Sequence, residues 1–230
     1  MKTIGILGGM SAASTQLYYR ELCALTRGAQ GGLHSPQLLI RSLDFAPIAA
    51  LQAAGDWAAM GTMLNAEARA LERGGAEILI LATNTMHKLA DEMMAGVTIP
   101  LLHIADATAA AITAQGLRRP GLMATAFTME QEFYTARLRA AGLDPVIPDA
   151  ADRATTHRII YDELCRDVVT RDSRAAYEGI AARLVAQGAD SLILGCTEVG
   201  LLLGAGNVTV PVFDTVLIHC RVAHDLACQA

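Results

Sequence analysis

The stretch "GAEILILATNT" (residues 75–85) is echoed by "GADSLILGCTE" (residues 188–198) at a constant shift of 113 positions. Each copy is an apolar run behind a glycine and ahead of small polar residues, the pattern of a buried parallel strand that ends in a turn. Two further segments recur in the same order. "TIPLLHI", from Thr98, resembles "TVPVFDT", from Thr209, at a shift of 111, and "IGILGGM" can be laid on "PGLMATAF" at a shift of 117. Three collinear matches point to two similar α/β halves produced by internal duplication. No Pro/Gly/Ser-rich linker separates them, so a closely packed pair related by a pseudo-twofold is expected.

The rest of the chain fits this plan. "TIGILGG", "QLLIRSLDF", "EILILAT", "IPLLHI", "PGLMAT", "PVIPD", "SLILGC" and "VPVFDT" read as strands. Between them, "DWAAMGTMLNAEARALERGG" and "TRDSRAAYEGIAARLVAQGA" carry apolar residues at helical spacing and end in glycine. The alternation implies an α/β fold of two doubly wound parallel-sheet domains. We take residues 1–99 with 211–230 as the first domain and 100–210 as the second.

Composition excludes several functions. Eighteen basic residues against twenty-three acidic ones give a net charge of −5, with no basic face for nucleic acid or an anionic membrane. The run at the start of "MKTIGILGGMS" is too short and glycine-broken for a signal peptide, and no long uncharged apolar stretch suggests a membrane span. A soluble, cytoplasmic protein is the expectation. The five cysteines show no CxxC spacing, and the six histidines show no ligand-like spacing with acids or cysteines, so neither disulfides nor a metal is expected. "GILGGMS" is not G-x-G-x-x-G and lacks the acidic residue about 20 positions on that a dinucleotide site needs.

In open parallel sheets ligands bind beyond the carboxyl ends of the strands. The residues there are Gly8 to Ser11, Thr83-Asn84-Thr85, Thr125 to Thr128 and Cys196-Thr197-Glu198. Cys196 ends an apolar strand before a turn or helix, where a helix N-terminus would favour thiolate; a buried filler role is the alternative. Thr83-Asn84-Thr85 offers two hydroxyls and a carboxamide, and also suits the N-cap of a helix "MHKLADEMM". If the two halves face each other, Thr83 and Cys196 approach one ligand from opposite sides.

"GILGGMS", "ATNTMHK", "LHIADAT", "TMEQEFY" and "GCTEVGLL", in this order, resemble the aspartate/glutamate racemase family, most of all its bacterial L-aspartate/glutamate-specific and broad-specificity amino-acid racemases. The resemblance runs from Met1 to about Asp214. It implies two α/β domains with the active site in the cleft between them, a homodimer, an amino acid as the small-molecule substrate, and no cofactor. The family's usual mechanism uses one cysteine in "CNT" and one in "GCT". Here the second is Cys196, while the first position holds Thr83, a variant shared by members of the close subgroup. The resemblance also suggests Gln52 and Thr128 as substrate contacts.

Racemisation removes the Cα proton from one face of the substrate and returns a proton to the other through a planar carbanion. Cys196 as thiolate is the expected base; Thr83, a much weaker acid than a thiol, delivers or relays the returning proton. The favoured substrate is then the enantiomer whose Cα–H meets Cys196, the L-amino acid by resemblance. Asn84, Thr85 and Thr197, with backbone around Met10, are expected at the α-carboxylate, and Glu198 at the amino group or orienting the Cys196 loop. Where some relatives hold a lysine for a distal carboxylate, this chain has Cys165 or Arg166, leaving open L-aspartate, L-glutamate or a broader set. Only Lys2 and Lys88 are present, the latter assigned to the outer face of a helix, which disfavours a pyridoxal Schiff base. The rivals are a one-thiol decarboxylase or cis–trans isomerase, and a non-catalytic amino-acid binding protein.

Overall fold

A computed structural model describes every residue except Asp167, Thr197, Glu198 and Ala230, and all described side chains except that of Leu201. The chain divides into two compact units. One comprises Met1–His103 together with the chain from His219 onward; the other is Ile104–Ile218.

The first unit contains β1 (Ile4–Gly8), α1 (Ala12–Gln30), β2 (Leu38–Ser42), α2 (Phe45–Ala54), α3 (Trp57–Arg73), β3 (Ile78–Leu81), α4 (Ala90–Met94) and β4 (Leu101–Leu102). Its four strands are parallel in the order β2-β1-β3-β4. The second unit contains α5 (Ile104–Thr113), β5 (Pro120–Ala124), α6 (Ala126–Glu130), α7 (Glu132–Ala140), α8 (Ala150–Asp162), α9 (Arg171–Ala186), β6 (Ser191–Gly195) and β7 (Val212–Asp214). Its three strands are parallel in the order β5-β6-β7. The last helix, α10 (Thr215–Cys228), begins in the second unit and ends in the first.

The duplication is visible in the pairing. β1-β3-β4 and β5-β6-β7 follow the same order, each set parallel within its own sheet. Leu79 pairs with Leu101, and Leu192 with Val212, which reproduces the shifts of 113 and 111. The first strands correct the reading by one residue: Ile4 pairs with Ile78 and Pro120 with Ser191, so β1 maps onto β5 at 116 rather than 117. β2 has no full counterpart. "PVIPD", expected as a strand, contributes only an isolated bridge between Val146 and Gly121. Pro145 and Pro148 flank that bridge, and a proline has no N–H to extend a ladder.

Strands covered on both faces must be apolar throughout, since successive side chains point to opposite sides. In β6, Leu192 and Leu194 join one core with Met123, Tyr177, Ile180 and Leu184. Ile193, between them, joins another with Leu122, Ala124, Tyr134 and Phe213. The helices obey the complementary period. α3 buries Met60, Leu64, Ala68 and Leu71 along one stripe; Asp56 caps it by accepting from the Ala59 N–H at 3.0 Å, and Gly74 ends it. Thr170 caps α9 in the same way through the Ser173 N–H. Among the described residues no helix is long and apolar enough to cross a membrane.

Candidate active site

In the first unit, β1 and β3 run side by side and in register up to Leu7 and Leu81, so the segments that follow them emerge together. After β1 the backbone turns at Gly9, with φ of 88°, and its N–H donates to Thr15 Oγ1 at 2.7 Å. Ser11 then caps α1 by accepting from the Ser14 N–H. The Ser14 hydroxyl in turn donates to the Ala82 carbonyl at 3.0 Å, tying the start of α1 to the end of β3. Met10, Gln52, Thr83, Asn84 and Thr85 are all buried or nearly so, Thr83 keeping 9% of its surface.

The segment after β3 is not the helix expected. Thr85–Leu89 forms a 3₁₀ turn, and only Ala90–Met94 is α-helical. Asn84 sits at the cap position with helical backbone angles and makes no side-chain capping bond. The side chain that closes this turn is His87, whose Nδ1 lies 2.7 Å from the Thr83 carbonyl oxygen. A carbonyl only accepts, so Nδ1 carries the proton. Lys88, expected on an outer face, lies 3.7 Å from the centroid of the Trp57 ring, a cation–π contact.

Further buried aromatic rings accompany His87. Its ring centroid is 4.4 Å from that of His103 and 6.0 Å from that of His219. His219 is held at both nitrogens: Nε2–H donates to the Leu102 carbonyl at 2.9 Å, and Nδ1 accepts from the Tyr18 hydroxyl at 2.8 Å. Burial pushes its pKa down to about 4, against the opposing pull of the Leu102 carbonyl. The unfolded chain takes up this proton near pH 6.5 and the folded protein does not until about pH 4. Stability therefore falls as pH drops through that window, by at most about 3 kcal/mol. Urea midpoints measured between pH 7 and pH 4 are expected to decline, and His219→Gln is expected to flatten the decline. The rings of Tyr18 and His87 lie beside that of His219.

In the second unit, β5 and β6 stay in register up to Ala124 and Gly195, which puts Thr125 and Cys196 at neighbouring strand ends. Cys196 is partly buried and packs with Tyr161 and Cys165 against the leucine-rich core. Among the described residues beyond it, Val199–Leu201 forms a 3₁₀ turn, with the Val199 N–H donating to the Cys196 carbonyl at 3.1 Å. Thr125 caps α6, and its hydroxyl lies 3.2 Å from that of Thr128, which has no exposed surface. Ala126 donates its N–H to Nδ1 of His157, whose ring packs against Tyr161 and Phe127. At the end of β7, Asp214 accepts from the Val216 and Leu217 N–H groups. Thr197 and Glu198, expected at the substrate, lie outside the described residues. Among the described residues no three His, Cys, Asp or Glu side chains are arranged to hold a metal ion.

A family model described as Asp/Glu/Hydantoin racemase matches residues 7–223. The chain belongs to the Asp/Glu/hydantoin racemase family. A crystal structure of a candidate Asp/Glu racemase from Yersinia pestis is 46% identical, covers 100% of both chains and superposes with a TM-score of 0.92. That of an aspartate racemase homologue from Pyrococcus horikoshii is 34% identical over 100% of both chains, with a TM-score of 0.86. The broad-specificity amino-acid racemase RacX of Bacillus subtilis is 24% identical over 92% of each chain. Sequence reasoning passed over His87, His157 and Tyr18. The available signal was the spacing of four between Thr83 and His87, which lets a side chain reach back to a carbonyl one turn earlier.

Proposed function

We propose that the protein is a cofactor-independent amino-acid racemase in which Cys196 removes the Cα proton and the Thr83 side returns one. The observation that carries this reading is the position of Cys196 directly after β6, the strand that corresponds to β3, which leads to Thr83. A partly buried thiol at the carboxyl end of a parallel strand is where a base for a small bound substrate belongs. Asn84, Thr85 and Thr197, with backbone at Met10, take the α-carboxylate. Gln52 and the Thr125–Thr128 hydroxyl pair add contacts, and Glu198 takes the amino group or orients the Cys196 loop. Cys165 packs in the same core as Cys196 while Arg166 is exposed, which favours a range of L-amino acids extending beyond aspartate and glutamate. We further propose a homodimer, to be checked by light scattering behind size exclusion.

Enantiomers have equal free energy, so kcat/KM is the same in the two directions whatever the mechanism. The asymmetry between a thiol and an alcohol shows instead in isotope exchange. In deuterated water, an L-amino acid is expected to exchange its Cα proton faster than it racemises, because Cys196 can return deuterium to the face it deprotonated. Equal rates, measured by NMR and chiral chromatography on one sample, would count against the asymmetric mechanism. Thr83→Cys is expected to raise racemisation about tenfold in both directions and to narrow the gap to exchange. Absence of both exchange and racemisation across the common L-amino acids would favour a decarboxylase, a cis–trans isomerase or a binding protein.

A further inference from the structure

The proposed mechanism uses Thr83 and leaves unexplained the buried rings associated with its turn. His87, with 2% of its surface exposed, donates from Nδ1 to the Thr83 carbonyl. Its ring cannot swing freely, because His103 packs at 4.4 Å and the edge of His219 at 6.0 Å. His219 is itself anchored at one nitrogen by Leu102 and at the other by Tyr18, both through short hydrogen bonds. The chain Tyr18–His219–His87–Thr83 thus runs from α1 and α10, through a ring contact, to the end of β3 without leaving the first unit.

Fixing the Thr83 carbonyl fixes the peptide plane that follows it, and with it the direction of the Thr83 side chain. A hydroxyl is a poor proton donor, so its contribution depends on placement more than a thiol's would; displacement by about 1 Å costs on the order of a hundredfold in rate. The contact of Thr83 with His87 is through the carbonyl and not the hydroxyl, so His87 holds the donor without competing for it.

We propose that His87 is a positioning residue for the Thr83 half of the reaction: its Nδ1–H locks the turn that presents the Thr83 hydroxyl, and His103, His219 and Tyr18 hold the imidazole in that rotamer. The kinetic part rests on the racemase reading; the structural part rests on the turn alone. The side chain of asparagine places an N–H where His Nδ1 lies, whereas that of glutamine places one where Nε2 lies. His87→Asn is therefore expected to keep racemisation of an L-amino acid within about threefold of the parent. His87→Gln and His87→Leu are expected to lose about a hundredfold, while Cys196-driven Cα exchange in deuterated water falls less than about threefold. The ratio of exchange to racemisation then rises in two variants and not in the third. A general structural lesion would lower both rates together, and that result would overturn the proposal.

A second arm needs no activity. In protein labelled with ¹⁵N-histidine, His87 is expected as the Nδ1–H form with a slowly exchanging imidazole proton. The Thr83 amide, bonded to the Leu81 carbonyl at 2.9 Å, is expected to exchange faster in His87→Gln than in the parent or His87→Asn. An Nε2–H tautomer at His87, or unchanged amide exchange in His87→Gln, overturns the proposal. A parent that neither exchanges nor racemises any amino acid refutes the racemase reading, and the spectroscopic arm still decides the role of His87.

Discussion

Cys196→Ser is expected to lower both racemisation and Cα exchange of L-amino acids by about three orders of magnitude. In the proposed mechanism Cys196 serves both rates, so they fall together, whereas the variants on the Thr83 side separate them. Serine keeps nearly the same shape but is a far weaker acid, so almost none of it is anionic at neutral pH. Cys196 is only partly buried and packs at the rim of the core, so the thermal midpoint is expected to move by no more than a few degrees. A variant that stays folded and loses less than tenfold would show that the base is another group.

The largest expected effect on stability is at Gly9. A Cβ there would lie 2.1 Å from the carbonyl oxygen and 2.2 Å from the nitrogen of Leu43, inside van der Waals contact with backbone that cannot rotate away. The Leu43 N–H is committed to the Gly8 carbonyl at 3.0 Å, so the approach of the two chain segments is part of the turn. The left-handed φ of 88° adds strain for any residue with a side chain. Gly9→Ala is expected to cost about 3 kcal/mol or more, a fall of roughly 6–12 °C in Tm for a chain of this size. Gly116 is the control. It also has positive φ, 73°, but open space around its would-be Cβ, so Gly116→Ala is expected to cost only about 1 kcal/mol. Similar losses at the two positions, measured by calorimetry, would mean that the turn after β1 yields where the geometry says it is tight.

Much of the scaffold was legible in the sequence because the strands and long helices state their burial through periodicity. β3 and β6 read as buried strands since both of their faces meet a core. Asp56 and Gly74 mark the two ends of α3 by side-chain and backbone chemistry alone. Cys196 and Thr83 stood out because the two strands can be aligned with each other. Other features depended on neighbours that a linear reading does not supply. "PVIPD" carries β-like residues, yet its prolines limit it to one bridge. "MHKLADEMM" has good helix formers, but the imidazole at position 87 draws the first turn into a tighter winding. The ring cluster joins residues 18, 87, 103 and 219, so no local pattern could reveal it. Each of these histidines, taken singly, reads as ordinary core filling.

The unit made of the two chain ends has a consequence for biosynthesis. A ribosome releases Ile104–Ile218 as one continuous segment, which has all of its own strands before the final helix is complete. The N-terminal sheet emerges earlier but must wait for α10, which supplies His219 to Tyr18 and Leu102 and the Ala227 carbonyl to the Lys2 N–H. The sheet translated earlier is therefore finished later, and a nascent chain stalled before His219 would hold Tyr18 in an interior lacking its partner.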